Sequence, residues 1–130
     1  MSWQNYVDDE ICSKIPCKAV AIAGHDGRIW AKFEKDPAFQ ITQAELKLIC
    51  DQMNSSPETF HGSGIHVGGQ RYICLTSESN LLRGRKGGTP LCIVKTLQAV
   101  IVAAAEDGSI AGQLNIVVEK LGEYLTNSGY

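Results

Sequence analysis

At 130 residues, with 44% hydrophobic and 20% charged side chains, the chain has the makeup of a single soluble globular domain spanning 1-130. A formal net charge of −2 argues against general nucleic-acid binding, which wants a basic domain. No apolar run reaches the ~18 residues of a transmembrane helix, and the polar opening "MSWQNYVDDE" is unlike a secretory leader, so a cytoplasmic chain is expected.

Ser2 reads as the N-cap of a first helix running to about Ile15. At 100° per residue, Val7, Ile11 and Ile15 form its core stripe, with Trp3 at the edge and Tyr6 a further ~60° round. Two large aromatics therefore start the chain without a place in the core. A buried strand follows over Lys18–Gly24, then an Asp26-Gly27 hairpin turn and a return strand over Arg28–Phe33 that carries Trp30. In "ITQAELKLICDQM", Thr42 and Glu45 form a capping box and Ile41 with Leu46 a hydrophobic staple. Leu46, Ile49, Cys50 and Met53 are the inward face of that helix, and Pro57 lies beyond its end.

Short strands come next: "GIHVG", "QRYICLTSE", "NLLRGRK", "PLCIVKT" and "QAVIVAAAE", punctuated by Gly68-Gly69, Ser79-Asn80, Gly87-Gly88 and Asp107-Gly108. Alanine-rich "QAVIVAAA" has helix propensity, but Val100, Ile101 and Val102 are β-branched and follow a meander, so a strand is expected. A last helix runs from about Ala111 to Thr126, with Leu114, Val117, Val118, Leu121 and Leu125 on one face. The order predicts an α+β fold.

Little in this chain points to catalysis. Cys12, Cys17, Cys50, Cys74 and Cys92 form no CxxC pair or zinc spacing, and their mostly apolar settings read as reduced, buried thiols; no metal or cofactor is expected. "HGSGIH" reads as a loop, having His61 where a nucleophile elbow needs Gly. "RGRKGG" is no phosphate loop. Asp8, Asp9 and Glu10 splay around their helix rather than converge. The surface is more informative. Arg83, Arg85 and Lys86 concentrate three cations in four positions, as a solvated hairpin tip or as a site for an acidic protein or lipid. Trp3, Tyr6, Tyr124 and Tyr130 gather at the two ends of the chain, either as tethers for the termini or as a site.

"MSWQNYVDD", "GHDGRIWA", "HVGGQRY", "RGRKGG", "VKTLQA" and "NIVVEKLGEYL", in this order and spacing, resemble the profilins, small proteins that bind actin monomers. The compact length is similar to the plant, amoeba and invertebrate members. The resemblance implies a central antiparallel sheet with the N- and C-terminal helices on one face and smaller helices on the other. It implies a non-enzymatic protein, associated with the cytoskeleton, that regulates actin polymerisation and sequesters actin monomers. It further implies poly-L-proline binding through Trp3, Tyr6, Trp30, Tyr124, Leu125 and Tyr130, with proline-rich nucleation and elongation factors as partners. Monomeric actin would be met by Arg71, Arg83, Arg85, Lys86, Leu91, Gly112, Asn115 and Glu119. Anionic phosphoinositides would be bound weakly by Arg83, Arg85 and Lys86. Ile110, Ile116 and Lys120 depart from the vertebrate members, and "KFEKDPAFQI" lies in a region that varies. Two other readings stand beside this one: a phosphoinositide-binding regulator with actin secondary, and a small α+β hydrolase.

Overall fold

Strands that are apolar at every position need cover on both faces, and the two strands richest in such residues pair inside the sheet, away from its edges. A computed structural model describes residues 2–130. Seven strands, β1 (Cys17–Gly24), β2 (Ile29–Glu34), β3 (Ile65–Val67), β4 (Gln70–Ser77), β5 (Leu81–Lys86), β6 (Thr89–Lys95) and β7 (Ala99–Ala105), form one antiparallel sheet in the order β2-β1-β7-β6-β5-β4-β3. Every residue of β7 is buried, as is every residue of β1 except Lys18. Val100, Val102 and Ala104 join the core on one face with Ala19, Ala21 and Ala23. Ile101 and Ala103 join the other with Val20 and Ile22. Two-sided burial overrides the helix propensity of the alanines, and the strand is as expected.

The first of these cores is closed by α2 (Gln43–Ser55), whose Thr42–Glu45 capping box and inward Leu46, Ile49, Cys50 and Met53 match the sequence reading. Gly27, at φ +85, turns the β1–β2 hairpin beneath α2; a Cβ there would lie 2.3 Å from the Gln43 carbonyl oxygen. "HGSGIH" is less of a loop than expected. Pro57 opens a 3₁₀ turn (Pro57–Thr59) that runs into a single helical turn, α3 (Phe60–Ser63), pinned by buried Phe60. A proline fixed near φ −65° starts a helical turn as readily as it ends one.

The second core lies under α1 (Trp3–Val7) and α4 (Ala111–Asn127). Ser2 caps α1 as expected, but the regular helix does not continue to Ile15. From Asp8 to Cys12 the chain forms a π turn, in which the Ser13 amide donates to the Asp8 carbonyl at 2.9 Å. Val7, Ile11 and Ile15 are all buried nonetheless. On α4, Leu114, Val118, Leu121 and Leu125 face the core, while Val117 stands at its edge. Buried Gly122 brings α4 down onto β6, where a Cβ would meet Val94 Cγ1 at 2.5 Å.

Candidate functional site

The capping box of α1 fixes the turn that bears Trp3 and Tyr6. Asn5 N–H donates to Ser2 Oγ at 3.2 Å, and Asn5 Oδ1 accepts from Ser2 N–H at 3.2 Å. Gln4 Nε2 donates to the Lys32 carbonyl at 3.1 Å, which straps α1 to β2 beside Trp30. The rings then meet in series. Trp3 lies 4.7 Å from Trp30, 5.2 Å edge-on from Tyr130 and 5.5 Å from Tyr6, which lies 6.1 Å from Tyr124. These spacings suit tilted and edge-to-face aromatic pairs. Partial burial and the neighbouring Tyr124 hydroxyl hold the Tyr6 phenol above its ordinary pKa.

Tyr130 is held by its main chain as well as its ring. Its N–H donates to the Leu125 carbonyl at 2.8 Å, and its main-chain oxygen accepts from Thr96 Oγ1 at 2.8 Å and from the Gln98 amide. His25 Nε2 lies 3.0 Å and 3.1 Å from the Thr96 and Ala99 carbonyls, so it donates to both and braces the same β6–β7 turn. Leu125, expected beside the rings, is only 1% exposed and lies in the core. It supports the shelf of rings and is not part of its surface.

The residues expected to meet actin divide between the two faces of the sheet. Arg83 sits beneath α4 and makes a bidentate pair with Glu119, Nε to Oε2 at 3.0 Å and Nη2 to Oε1 at 2.8 Å. Arg85, two positions along β5, shares that face, and Ile73 is its cross-strand partner on β4. Arg71, two residues before Ile73, follows on the same face and donates from Nε to the Ser63 carbonyl at 3.1 Å. Gly112 and Asn115 lie in the first half of α4, Gly112 with open space where a Cβ would stand. Leu91 corrects the expectation: it is 1% exposed and packs in the core on the α2 side, because its cross-strand partner is Gly84 rather than Arg83. Strand alternation also turns Lys86 away from Arg85, and its ammonium donates to Gln70 Oε1.

Sequence reasoning missed Ile73 and Leu75, 55% and 54% exposed on β4. "RYICL" is apolar at both parities, which reads as a strand covered twice, yet α4 packs on β6 and β7 and leaves β4 bare. It also missed a groove of about 390 Å³ where the π turn runs beside α4, with Tyr6 and Tyr124 at one end and Glu10, Lys14, Ile116 and Lys120 along it. Among the thiols, burial pushes Cys50 to about 11 and Cys92 to about 12, whereas a hydrogen bond with Cys17 holds Cys12 below the ordinary value. Among the described residues no group of three or more His, Cys, Asp or Glu is placed to hold a metal ion, and no helix is long and apolar enough to cross a membrane.

Known proteins resemble the chain along its whole length. The family model described as Profilin matches residues 1–130. A profilin of Drosophila melanogaster is 38% identical over 130 residues, covering all of both chains. The crystal structure of Acanthamoeba castellanii profilin II superposes with a TM-score of 0.88 at 28% identity, over 99% of this chain and 100% of that one. Mouse profilin IIa, solved in complex with a double repeat from the FH1 domain of mDia1, gives 0.77 over 100% of both chains; its 22% identity speaks for the fold alone.

Proposed function

The chain belongs to the profilin family, whose general function is actin regulation, and from that premise we propose a non-enzymatic binding module with two separate surfaces. The first is the aromatic shelf, which takes proline-rich segments. The observation that carries this reading is the series of five rings, each within 6.1 Å of a neighbour, assembled from α1, β2 and the end of the chain. A polyproline II ligand is stiff before it binds and has unpaired carbonyls along its length. Flat rings fit between its ridges, and the Trp and Tyr polar tips donate to its carbonyls. The ligands proposed are proline-rich nucleation and elongation factors; the mouse protein of this fold is solved with a double repeat from an FH1 domain.

The second surface is the face of β4, β5 and the first half of α4, which takes monomeric actin. Apolar Ile73 and Leu75 amid Arg71 and Arg85 form the mixed patch that a protein partner with acidic groups matches. The module then buffers monomers in the cytoplasm while the shelf tethers it to proline-rich partners. Phosphoinositides bind weakly through Arg83 and Arg85, since Lys86 lies on the opposite face of β5. Only Arg83 and Arg85 share a face and Arg83 is already paired, so vesicle binding should collapse between low and physiological salt. The test is retention on a poly-L-proline resin followed by capture of actin monomers on that resin. Flow-through sinks the shelf assignment, and retention without actin capture sinks the second surface.

A further inference from the structure

The groove beside α4 is continuous with the shelf. Tyr6 and Tyr124 are the last two rings of the series and also close one end of the groove, so a ligand that follows the rings past Tyr124 enters it. From Trp3 to Glu10 is seven residues, about 10 Å along a helical axis, or three to four residues of a polyproline II chain at ~3.1 Å each. The floor beyond the rings is aliphatic, with Ile116 69% exposed. The rim carries Glu10, Lys14 and Lys120. Glu10 and Lys14 pair at 2.9 Å, whereas Lys120 has no ion-pair partner among the described residues. The mouth thus offers one uncompensated cation above an apolar floor.

We infer that this groove reads the residues flanking a proline-rich segment and selects those in which a bulky aliphatic residue is followed by a carboxylate. The aliphatic side chain covers Ile116, and the carboxylate meets the Lys120 ammonium. The prolines on the shelf supply the common affinity, and the groove discriminates among ligands that share them. This inference rests on the shelf reading given above.

Its test compares a plain proline decamer with decamers extended by Leu-Glu or Leu-Gln at either end, titrated into the wild-type protein and into Lys120→Glu. The readout is the ratio of extended to plain affinity within each protein. In the wild type, Leu-Glu at one end should bind on the order of fivefold tighter than the plain decamer and tighter than Leu-Gln, as an exposed ion pair over an apolar contact allows. In Lys120→Glu, the advantage of Leu-Glu over Leu-Gln should vanish or reverse. A ratio near one at both ends, or an advantage that survives Lys120→Glu, overturns the inference while leaving the shelf intact. Failure of the plain decamer to bind the wild type overturns the shelf reading and this one with it.

Discussion

The shelf and the cationic face stand in different states before any partner arrives. On the shelf, Trp3, Tyr6, Trp30, Tyr124 and Tyr130 already hold one another at stacking distance, and a ligand adds contacts without breaking any. On the other face, Arg71 is donating to the Ser63 carbonyl and Arg83 to Glu119. A partner there gains by exchange, replacing bonds the chain makes to itself. Binding to the shelf should therefore concentrate in a few anchors and resist salt, whereas binding to the charged face should be spread out and salt-sensitive.

The largest effect that would break this contrast is expected at Trp3, the one ring touching three others. Trp3→Ala should cost about 2 kcal/mol or more, roughly thirtyfold in affinity for a proline decamer followed by Trp30 fluorescence. Actin-monomer binding should persist. Undiminished decamer affinity would mean that the rings only tether the chain ends. Next comes the charged face. Arg71→Glu with Arg85→Glu should weaken actin-monomer binding by about tenfold, with the loss shrinking as salt is raised. Should the double variant suppress spontaneous actin assembly as well as wild type does, the face is misassigned.

Removing Tyr130 sharpens the contrast from within the shelf. A frayed end would contribute little, but here the ring packs edge-on against Trp3 and the main chain bonds Thr96 and Gln98. Decamer binding should fall by about 1 kcal/mol, near fivefold. Hydrogen exchange at the Gln98 amide should quicken in the same variant, and an unchanged rate would show the end to be loose. The smallest effect is expected at Cys12. A lowered pKa leaves more thiolate at a given pH, so its labelling should reach half-maximal rate at a pH below that of a free cysteine. Cys50 and Cys92, shifted up by burial, should stay silent until unfolding. A free-cysteine profile at Cys12 would remove the hydrogen bond with Cys17 from the account.

Features written within a few residues were legible before the structure: the Ser2 and Thr42 caps, the Asp26-Gly27 turn and the inward face of α2. Features decided by what lies across the sheet were not. "PLCIV" is apolar at every position, so its pattern alone cannot assign Leu91 a face; the register with Gly84 does. Lys86 left its cluster through strand alternation, which adjacency in sequence conceals. The π turn has no sequence mark, since Val7, Ile11 and Ile15 satisfy an α-helical stripe just as well. Four of the shelf aromatics stood out as large residues at the chain ends. The place of Trp30 among them was implied only by the family resemblance, and the structure brings it against Trp3.

The π turn also sets what kinds of heritable change the N-terminal segment can absorb. Closing a ring from Ser13 back to Asp8 accommodates one residue more than an α turn does. Deleting a single exposed residue from this turn would let the segment close into ordinary helix with the residues ahead of it near their present bearing, whereas inserting one more would swing them about 100° around the axis. After such an insertion Val7 would leave the core, and Trp3 would leave Trp30 and Tyr130. Substitution is another matter at exposed Asp9, whereas exposed Asp8 accepts from Gln4 Nε2, the group that also straps α1 to β2. Around buried Ile11, this stretch of chain should therefore accept exchanges at its exposed positions and the loss of one residue, but not the gain of one.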